Sequence, residues 1–167
     1  MPKITIVVSA MAPVPAPPQT PPPANPPLGS QETFTDDLVL MRYNNRTPGN
    51  GPNDLPQNPQ QRLAGTHSGT LTLLRIAGLG DRFYPSGTYV IQYVATYRFN
   101  NLPNTPLQKG QVTAQGLLLL DSTNNFTPLD TPNKFAITGG TDAYDEARGE
   151  VSELQNPTND KELEIVV

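Results

Sequence analysis

One histidine, six tyrosines and no cysteine bound what this chain of 167 residues can do chemically. Without cysteine there is no thiol nucleophile, no disulfide and no cysteine metal site. His67 alone cannot build a zinc site, so neither a metal nor any other cofactor is expected. It is either a general base or substrate contact, or an ordinary hydrogen-bonded strand residue. Tyr89, Tyr93 and Tyr97 recur at every fourth residue of GTYVIQYVATYRF (Gly87 to Phe99), so in a strand they share one face with Ile91, Ala95 and Phe99. Such a ladder offers apolar rings with phenol donors, suited to a polyene or dienone whose carbonyl needs a hydrogen bond. A plain core or an oligomer interface is the other setting for stacked aromatics.

The remaining candidates are acids, amides and one arginine. Asp36 and Asp37 are neighbours and must point to opposite faces of a strand, which excludes a carboxylate dyad. Asp37, in phase with Val39, Met41 and Tyr43, is carried as the catalytic candidate, while alternation leaves Asp36, in phase with Phe34, Leu38 and Leu40, open. Gln115 shares a face with Thr113, Leu117 and Leu119, where it could donate to a bound carbonyl with Leu117 as an apolar contact, or simply be a satisfied core amide. Alternation also puts Glu146, Arg148 and Glu150 on one face. A charged trio turned inward would be an ion-pair network or an active site; turned outward it is an exposed charge stripe.

Motifs and charge exclude several function classes. No Gly-x-Ser-x-Gly, Walker loop or dinucleotide fingerprint occurs, which leaves hydrolase, NTPase and dehydrogenase readings without support. The net charge of -4 comes with scattered Lys and Arg, so the basic footprint of a nucleic-acid binder is missing. The longest apolar run, Leu117 to Leu120, is far short of a membrane span, and MPKITIVVSAM makes a poor secretion signal; a cytoplasmic protein is the expectation.

The elements that must position these residues are strands. Gly (13) and Pro (20) are abundant and charged residues are only 16%, which suits short strands joined by turns in one domain spanning residues 1–167. Strands are predicted over Ile4 to Ser9, Phe34 to Tyr43, Leu63 to Ile76, Gly87 to Phe99, Gly110 to Asp121, Lys134 to Thr138, Tyr144 to Leu154 and Lys161 to Val167. Residues 12–29 hold nine prolines and cannot join a ladder, so they form a loop or arm, and residues 44–61 read as a long loop insertion. Gly65 and Gly69 suit a strand that must bend sharply. Eight strands in antiparallel meander spacing are the number that closes a barrel around side chains or one small ligand.

The stretch ITGGTDAYDEARGEV (Ile137 to Val151) resembles the signature of dirigent and allene oxide cyclase-like proteins, in which a strand ends in a paired-glycine turn and the next carries Ala-Arg-Gly. FTDDL (Phe34 to Leu38), GTHSGTLTL (Gly65 to Leu73) and GQVTAQGLLLL (Gly110 to Leu120) resemble further strands of the bacterial members, in the same order along nearly the whole domain. On this reading Gly139 and Gly140 make the turn and Gly149 lets its strand curve. The resemblance implies an all-β, eight-stranded antiparallel barrel that holds a hydrophobic intermediate and steers its cyclisation or coupling. It makes Arg148 the family's motif arginine. It also implies a homo-oligomer, dimer or trimer, packed through outer sheet faces. The expected function is a cofactor-independent cyclase or isomerase of natural-product chemistry, with non-catalytic binding or steering as the alternative. Where plant members carry a His-Asp pair near the end of the first strand this chain has Ser9 and Ala10, a departure from their lignan chemistry.

Overall fold

Apolar residues recur with a period of two along most of the chain's extended segments, and antiparallel pairing turns those faces to a common interior until the sheet meets its own edge. The computed structural model describes residues 3–11, 26–44, 55–123, 127–129, 133–154 and 160–166. Its strands are β1 (Lys3–Met11), β2 (Gln31–Tyr43), β3 (Leu63–Ile76), β4 (Thr88–Phe99), β5 (Gly110–Asp121), β6 (Thr127–Pro128), β7 (Asn133–Asp142), β8 (Arg148–Glu153) and β9 (Asp160–Val166). Eight of them form a closed antiparallel ring in the order β1-β2-β3-β4-β5-β7-β8-β9, with β9 returning to β1. The closing seam between β4 and β5 runs without a slip from Thr88 opposite Asp121 to Phe99 opposite Gly110. The two-residue β6 lies against the end of β5, outside the ring. Most of the proline-rich stretch and of the 44–61 insertion falls outside the described residues; within the insertion Leu55 is buried and Pro59–Arg62 forms a 3-10 turn. Among the described residues no helix is long and apolar enough to cross a membrane.

The inward face carries the core: Ile6, Val8, Leu38, Leu40, Tyr97, Phe99, Val112, Phe135, Val151, Leu163 and Ile165 are all essentially inaccessible to solvent. One end of the barrel, the base, is plugged by Phe99, Leu107, Tyr144 and Tyr43. The Tyr43 hydroxyl donates to the Asn104 carbonyl at 2.9 Å. Toward the other end Leu73, Tyr89 and Ile91 form a smaller apolar cluster with Leu71, Leu118 and Leu120 packed on it.

Two local expectations change. Gly139 and Gly140 do not make the turn; they lie inside β7, where a bulge shifts the register against β5. A Cβ on Gly140 would sit 2.3 Å from the Tyr144 carbonyl oxygen, so this glycine is required by close approach. The turn itself falls at residues 143–146, with Asp142 (φ 56) and Glu146 (φ 63) in the left-handed region, and β8 starts only at Arg148. Gly149 does work as a strand glycine: with φ +139, its missing Cβ would lie 1.8 Å from the Glu164 carbonyl oxygen of β9. Replacing Gly149 by Ala is therefore expected to cost more than about 2 kcal/mol, from backbone strain and overpacking together. Gly78→Ala, with nothing within 4 Å of its Cβ position, is expected to stay within about 0.5 kcal/mol. Urea denaturation of the two variants checks this, and a Gly149→Ala protein as stable as wild type would contradict the close β8–β9 approach.

Candidate functional site

Three neighbouring strands bring Asp36, His67 and Tyr97 into one row on the inner face, because Asp36 pairs with His67 across β2–β3 and His67 pairs with Tyr97 across β3–β4. Tyr93 stands on the same face two side-chain repeats farther from the base, with Ala95 between. His67 Nε2 and the Tyr93 hydroxyl are 2.8 Å apart, and the Tyr93 and Tyr97 hydroxyls are also 2.8 Å apart. His67 Nδ1 lies 3.4 Å from Asp36 Oδ2, an electrostatic contact longer than a good hydrogen bond, and has no closer partner among the described residues. A neutral imidazole carries one N–H, and placing it on Nδ1 faces the carboxylate with a proton rather than a lone pair. Nε2 then accepts from Tyr93, whose oxygen accepts from Tyr97.

Burial controls the protonation of this chain. Desolvation lowers the His67 pKa below 6.5, partly opposed by the hydrogen-bonding pull of Asp36. Desolvation likewise raises Tyr93 and Tyr97 well above the ordinary phenol range, so both remain donors at neutral pH. His67 is only 3% exposed, whereas the Asp36 side chain retains 27%, so the chain runs from a carboxylate that water can reach to phenols it cannot. Rings surround the polar atoms. His67 stacks on Tyr97 at 4.4 Å between centroids, Phe34 lies 4.7 Å from His67, and Phe135 stacks on Tyr93 at 4.0 Å. Gly116 of β5 leaves the space that Phe135 fills: its missing Cβ would be 3.0 Å from that ring.

The opposite wall holds a second row. Asn133, Glu153 and Lys161 are cross-strand partners on β7, β8 and β9, in phase with the core residues Phe135, Val151 and Leu163. Asn133 Nδ2 donates to Glu153 Oε2 at 3.1 Å, and the Lys161 ammonium is ion-paired to Glu153. Asn133 and Lys161 are buried. In the ring order β3 and β8 are half a turn apart, so His67 and Glu153 face one another across the lumen. The charges of Glu153 and Lys161 both act on His67, in opposite senses. Among the described residues no group of three or more His, Asp or Glu side chains is placed to hold a metal ion.

Of the residues singled out from the sequence, Tyr93, Tyr97 and His67 come together in the lumen, and Tyr89 is on the same face, buried in the apolar cluster at the end opposite the base. The others stand elsewhere. Arg148 is exposed and donates to the carbonyls of Glu146 and Ala147, while Glu146 sits in the turn, off the strand face expected for it. Glu150 pairs with Lys134 on the outer surface at 2.7 Å, so the trio is not an inward cluster. Gln115 and Leu117 line a shallow outer depression of about 380 Å³ with Leu74 and Gln92, because the inward residues of β5 are Val112, Ala114 and Gly116. Asp37 points outward, opposite Asp36. Sequence reasoning missed Asn133, Glu153 and Lys161. The available signal was phase, since Lys161 alternates with Leu163 and Ile165, and Glu153 with Val151.

The single histidine makes the protonation of this row directly observable. The imidazole is expected to be an Nδ1–H tautomer and to titrate below pH 6.5 in nitrogen-15 correlation spectra. An unfolded imidazole binds its proton near 6.5 and the folded one only at lower pH, so this group takes stability away as pH falls through that window. The wild type should therefore lose stability relative to His67→Gln below pH 6.5 and keep a constant difference above pH 7. A histidine titrating above 6.5 would contradict the buried arrangement.

No protein-family model matches the sequence, and no curated protein matches it. Among solved structures the chain is similar to a pyocyanin demethylase, at 16% identity over 98% of each chain with a TM-score of 0.50. It is also similar to a pterocarpan synthase dirigent protein, at 16% identity over 98% of this chain and 82% of that one, with a TM-score of 0.53. At this identity the likeness speaks of architecture, and with the ring closed between β4 and β5 the chain has the dirigent-like, eight-stranded antiparallel barrel fold that the ITGGTDAYDEARGEV resemblance implied.

Proposed function

We propose that this protein holds an apolar small molecule in its barrel and isomerises or cyclises it by proton transfer, without a cofactor, through Tyr93 and His67. The observation that carries this is the continuous buried chain from Asp36 through His67 and Tyr93 to Tyr97. In it a neutral base with a carboxylate behind it is joined to a phenol that can both give and take a proton. When Tyr93 receives a proton from a substrate, its own proton passes to Nε2, and the imidazolium formed is stabilised by Asp36. Tyr97 hydrogen-bonds the Tyr93 oxygen and keeps it aligned for the transfer. Positioned proton transfer of this kind contributes about 10²- to 10⁴-fold in rate. Confinement by Phe34, Tyr93 and Phe135 would add the larger entropic share, on the order of 7 to 11 kcal/mol for a well-oriented reactant.

That two proteins of this fold are named for pyocyanin demethylation and pterocarpan synthesis supports a chemical use of the lumen. The reading leaves Arg148, Gln115, Asp37, Glu146 and Glu150 outside the chemistry, and Leu117, exposed beside Leu74, fits a contact in a homo-oligomer better than a substrate contact. A binding or steering protein without turnover is the second reading. It draws on the close stacking of Phe135 on Tyr93, a wall able to grip a ligand with no proton moved.

Incubation of the protein with metabolite extract from its source, followed by native mass spectrometry and chromatography, tests both. A product of unchanged mass and new retention is expected from the wild type. His67→Gln and Tyr93→Phe should retain the ligand while losing about 10²-fold or more in conversion rate. A ligand held but unconverted would establish the steering reading, and full conversion by both variants would remove the relay.

A further inference from the structure

Lys161 and Glu153 pose a question that the relay does not answer. Taking an ammonium and a carboxylate out of water costs several kcal/mol per ion, and a well-packed apolar pair in their place is often at least as stable. Their surroundings would accept such a pair: Lys161 stands opposite Val8 on β1, and Glu153 and Lys161 alternate with Val151 and Leu163, both fully buried. Instead the chain keeps a lysine 6% exposed, with Glu153 its one partner among the described residues. An ammonium has three N–H donors, so two remain for another acceptor. Asn133 binds the second oxygen of Glu153, which holds the carboxylate against the strand and keeps the lysine from swinging to solvent. The cation is thus fixed on the wall that faces the His67 row, on β9, three strands round the ring from β3.

Resting on the proton-relay reading, we infer that Lys161 is a catalytic residue that stabilises a developing oxyanion, which makes the substrate a neutral, apolar, enolisable carbonyl compound. The two walls then divide one reaction between them. A C–H bond adjacent to the carbonyl, or conjugated with it, breaks; its electron pair forms a new C=C bond as the carbonyl π pair moves onto oxygen, and its proton passes to the Tyr93 oxygen as the Tyr93 proton passes to His67. The imidazolium forms beside Asp36 and the enolate beside Lys161, so each new charge meets a fixed charge of opposite sign. Return of the proton to a different carbon completes an isomerisation with no change in oxidation level and no co-reactant. Net lumen charge is the same before, during and after the transfer, because the proton never leaves the site. A carboxylate substrate would instead add charge beside Glu153 and Asp36 and is disfavoured.

2-Naphthol, an apolar molecule with the shape of a trapped enol and a distinct absorbance when ionised, is the probe. The measurement is its absorbance at one pH unit below its solution pKa with wild-type protein, with Lys161→Met, and with the charge-free pair Lys161→Met/Glu153→Gln. The last variant leaves no unpaired buried ion and keeps the test valid should the single variant fail to fold. Wild type is expected to bind the naphtholate, raising the ratio of ionised to neutral naphthol roughly tenfold, the equivalent of one pKa unit. The His67 resonance should move to its protonated position in the same sample. The charge-free variant should bind the neutral phenol alone. Naphthol that fails to bind, binds only as the neutral phenol, or stays ionised in the charge-free variant would overturn the assignment. The proton relay is judged separately, by whether conversion of the natural substrate depends on His67, and it stands or falls on that result.

Discussion

The β4–β5 seam is the constraint on which the rest of this structure depends. An open eight-stranded sheet would leave two edges of unpaired backbone groups and a single wet or aggregating face. Pairing Thr88–Phe99 with Gly110–Asp121 removes both edges and sets the interior width at once, because strand number and tilt fix the radius of a closed barrel. With eight strands that width admits side chains or one small ligand. Everything on the inner face is therefore within reach of its counterparts on the other wall, and polar groups placed there interact whether or not they are close in sequence.

Width in turn decides the chemistry available. The inner face is mostly hydrocarbon and aromatic, so its few polar groups work in a low-dielectric setting where each unpaired charge is expensive. The structure meets this by pairing: Asp36 with His67 on one wall, Glu153 with Lys161 and Asn133 on the other. Tyr93 and Tyr97 satisfy one another and the imidazole. Desolvation holds the histidine neutral and the phenols protonated, which leaves the row poised to accept one proton and not to lose one. An inner face this dry also explains why the site uses strands, whose side chains are held by ladders on both sides, instead of loops.

Glycine makes the two rows possible. Gly65 on β3 and Gly149 on β8 each let a neighbouring strand approach so closely that a Cβ would lie 1.8 Å from a carbonyl oxygen, Arg98 in one case and Glu164 in the other. Gly65 is two residues from His67 on the same face, and Gly149 sits on the strand that ends with Glu153. Gly116 plays a different part, giving up side-chain volume so that Phe135 can stack on Tyr93 across β5. Bend, approach and ring packing are thus supplied by positions that carry no functional group.

The sequence alone was enough to determine the eight strands, their meander order and the tyrosine ladder, because a period of two, interrupted by Gly and Pro, is a local property of the chain. Gln115 against Ala114, and Asp37 against Asp36, show where local reasoning stops. Each pair occupies both faces of its strand, and β5 is apolar on both, so alternation separates the faces without saying which is inside. The glycines of ITGGTDAYDEARGEV carried the same ambiguity, marking a departure from regular strand that proved to be a bulge inside β7 followed by a separate turn. Lys161, Glu153 and Asn133 became a site only when three strands distant from His67 in sequence were brought round the ring to face it. That meeting was decided by tertiary structure, since it depends on closure and register, and a slip of one residue exchanges the inner face for the outer.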